Sequence, residues 1–83
     1  MAENKTLLIT GGCGFIGSNL VRIALSSGYR VVNLDALTYA GNLASLADVE
    51  GDAHYTFVHG DICNGALLKR VFEEHKPQGV LHL

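Results

Sequence analysis

The chain has 83 residues, 48% of them hydrophobic and 17% charged, and its formal charge is −2. That composition fits one small domain with a buried core and excludes a disordered tail. The near-neutral charge gives no basic footprint for nucleic acid or anionic lipid, and no apolar run approaches the roughly 20 residues of a membrane span.

Thr6-Leu7-Leu8-Ile9-Thr10 is a short, nearly unbroken apolar run, suited to a central parallel strand with both faces covered. No signal-peptide layout precedes it, so a soluble, cytoplasmic protein without nucleic-acid or membrane partners is expected. Phe15, Ile16, Leu20, Ile23 and Ala24 recur at helical spacing and predict the buried face of a first helix, stopped by Ser26-Ser27-Gly28. Arg30 to Asp35 reads as a second strand. The connection from Ala36 to Ala53 is long, and one or two helical turns are expected around Leu43 to Ala47, with Asn42 as cap.

Tyr55 to His59 reads as a third strand. Asn64 then caps a helix with Leu67, Leu68, Val71 and Phe72 on one face, Lys69, Arg70, Glu73 and Glu74 toward solvent, and Pro77 as terminator. Gly79 to Leu83 begins a fourth strand. A protein ending there would expose an apolar edge, so residues 1–83 are expected to be one incomplete unit of a longer polypeptide. Strand–helix alternation predicts an α/β fold, the amino-terminal half of a doubly wound parallel sheet of Rossmann-like order 3-2-1-4. Ligands of such sheets sit beyond the carboxyl ends of the strands, so the decisive residues are expected to follow Thr10, Leu34, Val58 and Leu83.

Thr10-Gly11-Gly12-Cys13-Gly14-Phe15-Ile16-Gly17 lies between the first strand and the first helix and satisfies G-x-G-x-x-G. Glycines there permit a tight turn, close backbone approach to a pyrophosphate, and close helix–strand packing, while the helix start presents unpaired N–H groups to an anion. No Lys-Ser or Lys-Thr follows, which excludes a P-loop. Asp35 stands 18 positions beyond Gly17, at the end of the second strand. A carboxylate there accepts from adenosine ribose hydroxyls and repels a 2′-phosphate; no Lys or Arg occurs between Asp35 and Lys69 to neutralise one. The expected cofactor is NAD. Asp61 and Ile62 follow the third strand, where a carboxylate can meet the adenine amine and Ile62 can wall it; ordinary turn chemistry at Gly60-Asp61 is an equal reading.

Other reactive side chains point to structure. Cys13 and Cys63 form no ligand or disulfide pattern and are expected to be small buried hydrophobes. His54, His59, His75 and His82 match no metal or nucleophile motif. His75 suits a helix end, His82 a buried hydrogen-bonded position, and Tyr39 the packing of its loop. No metal site and no catalytic residue is assigned.

The glycine turn resembles that of the extended short-chain dehydrogenase/reductases acting on nucleotide sugars. Val32-Asn33-Leu34-Asp35-Ala36-Leu37-Thr38-Tyr39-Ala40-Gly41-Asn42 with Ser45-Leu46, His59-Gly60-Asp61-Ile62-Cys63 and Gly79 to Leu83 are similar to segments of the dTDP-glucose 4,6-dehydratase family. The resemblance spans nearly all 83 residues but only the first quarter or so of a typical member. It implies NAD with its pyrophosphate over Gly11, Gly14, Phe15 and Ile16, ribose on Asp35, and Leu37, Thr38 and Gly41 lining the loop, with Gly17 and Ala36 completing the cofactor-binding set. Adenine would lie near Asp61 and Ile62, and Leu83 under the nicotinamide ribose. Ala36 departs from the Lys common there.

The implied reaction is oxidation at the sugar C4, loss of water across C5 and C6, and return of hydride to C6, in a homodimer acting on a nucleotide sugar. The family's Tyr-x-x-x-Lys pair is absent, since Tyr29, Tyr39 and Tyr55 are followed by Asn33, Leu43 and His59. These residues therefore supply the cofactor site and not the acid and base. An epimerase or decarboxylase of the same superfamily and a non-catalytic NAD-binding module stand as alternatives.

Overall fold

The computed structural model describes residues 5–36, 46–61 and 63–82. Strand β1 (Thr6–Thr10) buries Leu8, Ile9 and Thr10 in succession, which requires cover on both faces of the sheet. Helix α1 (Phe15–Ser26) follows, then β2 (Arg30–Asp35), whose last five residues are all buried. Strand β3 (Tyr55–His59), helix α2 (Gly65–His75) and β4 (Gly79–His82) complete the order. All pairings are parallel and the strands lie β3-β2-β1-β4, the order expected from the alternation. In register, Thr10, Leu34, Val58 and His82 form one row at the carboxyl ends.

Two clusters cover the two faces. Ile9, Cys13, Val21, Ala24, Val31 and Leu46 pack on the α1 side, while Leu8, Val32, Leu34 and Val71 pack on the α2 side, with Leu67 and Leu68 against them. Adjacent residues of β1 and β2 thus enter opposite cores, as the strand period of two demands.

The buried face of α1 differs from the one expected. Gly17, Ser18, Val21 and Ala24 face the sheet, whereas Phe15, Ile16 and Ile23 are 85%, 67% and 61% exposed. Both stripes have helical spacing, rotated by about one residue. Small side chains win the inner stripe because the helix leaves a tight turn and lies close to the strands, where bulky residues do not fit. Phe72 of α2 is likewise exposed, and only Val71 of that helix is fully buried.

The helix ends follow local chemistry. At the end of α1, Gly28 is left-handed at φ 93°; its N–H donates to the Leu25 carbonyl and the Tyr29 N–H to the Ala24 carbonyl, satisfying two last-turn acceptors. The Asn64 side chain caps α2 by accepting from the Leu67 N–H, and left-handed Lys76 closes the helix before Pro77. Asn42 and residues 43–45 of the expected helical turn, and Tyr39, lie outside the described residues. Leu46 is buried against α1, and the Val49 N–H donates back to its carbonyl in a turn. No helix among the described residues is long and apolar enough to cross a membrane.

Candidate functional site

The glycine turn begins where β1 ends. The Gly11 N–H donates to the Leu34 carbonyl at 3.0 Å, extending the β1–β2 ladder one step, and Gly11 adopts a φ of 75° that side chains disfavour. The chain then folds over the end of β2. The Gly12 N–H donates to Asn33 Oδ1 and the Cys13 N–H to Asp35 Oδ2, each at 2.9 Å. Asn33 and Asp35 are two apart on one strand and therefore share a face. A Cβ on Gly12 would fall within 2.5 Å of Asn33 Cγ, so only glycine allows this approach.

The first turn of α1 is built differently from that of α2. Its N-cap is Gly14, extended at φ −76° and ψ 175°, with no side chain to cap the helix; as in α2, no acidic residue stands in the first turn. The Ser18 N–H reaches the Gly14 carbonyl at 2.8 Å, so the helix proper starts at once. The amides of Phe15, Ile16 and Gly17 belong to the set that an α-helix cannot satisfy internally, and they sit at the positive end of its dipole. An anion such as a pyrophosphate is the natural partner for that arrangement. The side chains of Phe15 and Ile16 flank it, turned outward.

Asp35 is 2% exposed and already engaged with the turn. Its expected place at the end of β2 beside the glycine turn is where it lies. Ala36 follows, half-buried, and its carbonyl pairs with the exposed His59 ring at 3.1 Å. The Gly60 N–H donates to the Asp35 carbonyl, which sets the third strand end beside the second. Asp61 is exposed and forms a turn: its Oδ1 accepts from the Cys63 N–H at 2.8 Å and its carbonyl from the Asn64 N–H. Both features lead into the α2 cap, so the turn role of Asp61 is present in the structure. Gly11, Gly14, Phe15, Ile16, Gly17, Asp35, Ala36 and Asp61 are thus gathered along the carboxyl edge of β1, β2 and β3. Leu37, Thr38, Gly41, Ile62 and Leu83 lie outside the described residues.

Two expectations change. His82 is exposed, not buried, because β4 has β1 on one side and no described strand on the other. It is hydrogen-bonded, its Nδ1 lying 2.7 Å from Thr10 Oγ1 across the β1–β4 row. Cys63 is exposed in the turn before α2, whereas Cys13 is buried. Burial pushes the Cys13 thiol above its ordinary range, with nearby Asp35 adding to the effect and the Asn33 contact opposing it. Asn33, which sequence inspection passes over, is fully buried with its carboxamide on the turn. The available signal was one amide side chain between the apolar residues Val31, Val32 and Leu34.

Comparison with known proteins agrees with this geometry. A dTDP-glucose 4,6-dehydratase of Xanthomonas campestris pv. campestris is 61% identical over 93% of this chain and 22% of its own length. The crystal structure of dTDP-glucose 4,6-dehydratase from Bacillus anthracis in complex with NAD superposes with a TM-score of 0.92 at 43% identity, covering 95% of this chain and 26% of that one. An epimerase from Methanothermobacter thermautotrophicus superposes at 0.84 with 38% identity, over 98% of this chain and 23% of that one. The chain therefore spans about a fifth of the curated relative. The model of the GDP-mannose 4,6-dehydratase family matches residues 8–83, and with the parallel order 3-2-1-4 and the glycine turn in place, the chain belongs to that family.

Proposed function

We propose that residues 1–83 are the NAD-binding amino-terminal unit of a dTDP-glucose 4,6-dehydratase, a lyase that converts dTDP-glucose to dTDP-4-keto-6-deoxyglucose. The observation that carries this reading is the uncapped, acid-free start of α1 at Gly14, held against Asp35 at the end of β2. It is supported by the relative from Xanthomonas, named for that activity, and by the NAD in the Bacillus anthracis structure.

In this reading the first-turn amides of Phe15, Ile16 and Gly17 hold the pyrophosphate, and left-handed Gly11 bends the chain to admit it. Asp35 accepts from the adenosine ribose hydroxyls, and its charge disfavours a 2′-phosphate. Asp61 and Ile62 border the adenine, Ala36, Leu37, Thr38 and Gly41 line the loop, and Leu83 lies under the nicotinamide ribose. When bound, NAD supplies a reversible hydride acceptor. The acid and base that act on the sugar lie outside these residues, and the enzyme works as a cytoplasmic homodimer.

The test is to incubate the full-length protein with dTDP-glucose and identify the product. A 4-keto-6-deoxy sugar nucleotide is expected; recovery of a 4-epimer alone would replace the dehydratase by an epimerase.

A further inference from the structure

Asn33 is 0% exposed in the middle of β2, paired in register with Ile9 on one side and Phe57 on the other. A carboxamide buried in such surroundings is costly unless each polar atom finds a partner. Each does. Oδ1 accepts from the Gly12 N–H at 2.9 Å, and Nδ2 donates to Tyr55 Oη at 3.1 Å and approaches Cys13 Sγ at 3.4 Å. The backbone N–H of Gly12 can only donate, so the atom facing it must be the carbonyl oxygen, which directs Nδ2 toward Tyr55 and fixes the orientation of the amide.

The neighbouring amide, Cys13 N–H, is taken by Asp35. Two consecutive turn amides therefore point into the sheet, and the Gly11 carbonyl receives the Gly14 N–H from above, at 3.3 Å. The peptide planes of Gly12 and Cys13 set the direction in which α1 departs. They leave the first-turn amides of α1 as the donors for a ligand.

We infer that Asn33 is a positioning residue of the cofactor site, holding the Gly12 peptide so that the opening turn of α1 aims at a pyrophosphate, with the Tyr55 hydroxyl locking its orientation. This rests on the dinucleotide-binding reading above and adds to it a contact made away from the ligand. Two glycines of the turn thereby acquire separate roles, since Gly12 must be glycine to admit Asn33, and Gly14 leaves the helix start uncapped.

The experiment uses the full-length protein and two probes, ADP, which carries a pyrophosphate, and adenosine, which does not. The ratio of their dissociation constants measures what the turn contributes to phosphate binding and is insensitive to a loss that is only one of stability. Asn33→Val is expected to reduce the preference for ADP by roughly tenfold, the equivalent of about 1.4 kcal/mol, and Tyr55→Phe by about threefold. A folded Asn33→Val protein that keeps the wild-type ratio overturns the proposal, whatever its melting temperature. If Asn33→Val does not fold, Tyr55→Phe decides alone, because a reduced ratio supports the proposal and an unchanged one overturns it. Wild-type protein without any preference for ADP would instead overturn the dinucleotide reading, and this inference with it.

Discussion

Strands β2 and β4 belong to one parallel sheet and both flank β1, yet they have opposite surroundings. Five of the six residues of β2 are buried, including Asn33 and Asp35, whereas Val80 and Leu81 of β4 are 48% and 39% exposed. β2 has a strand on each side and a helix layer over each face; β4 has only β1 beside it among the described residues. The difference teaches where a cofactor site can be preformed. Asn33 and Asp35 hold the glycine turn because their surroundings exclude water and fix their rotamers, so each hydrogen bond meets little competition. At the β4 end, Thr10 is buried but its partner His82 is exposed, so that pair lacks the same support on one side.

The sharpest way to break this contrast compares one residue type on the two strands. In urea unfolding of this chain, Leu34→Ala, at a 2% exposed position, should cost about 2 to 5 kcal/mol, and Leu81→Ala under about 1 kcal/mol. Equal losses would remove the distinction between a central and an edge strand here. Gly12→Ala comes next. Its Cβ would collide with the Asn33 carboxamide, and overpacking of that kind costs roughly 1 to 3 kcal/mol. A melting temperature unchanged by this substitution would show that the turn does not rest on Asn33.

The smallest effect is a pH dependence. Burial raises both the Cys13 thiol, from 9.0, and the Tyr55 hydroxyl, from 10.0, so the folded state favours their protonated forms. This stabilisation is full below those unfolded values and is lost as pH rises through the folded ones. Thermal unfolding followed from pH 8 upward should therefore show a declining midpoint, and a thiol reagent at pH 8 should label Cys63 and spare Cys13. Prompt labelling of both would mean the turn opens readily.

Much of this was legible in the chain itself. The spans of β1, β2 and β3, the Asn64 cap and the order of the sheet follow from short apolar runs alternating with helical periodicity, because those patterns encode which surfaces must be covered. Gly11 to Gly17 and Asp35 marked the candidate site, since an anion cradle at a helix start needs bare backbone and a carboxylate at a fixed distance along the chain. The inner face of α1 was not legible. Ile16 and Ile23 are more hydrophobic than Gly17 and Ser18, and hydrophobicity alone would bury the wrong stripe.

What the sequence determined by itself was local: element type, turn chemistry and the candidate residues for a dinucleotide. The tertiary structure alone decided which side of α1 faces the strands, that Asn33 and Asp35 grip consecutive amides of the turn, and that Cys63 and His82 face solvent. These depend on distances between segments far apart in the chain, set by how closely a helix leaving a glycine turn can lie on a sheet. No periodicity within a single segment carries that information.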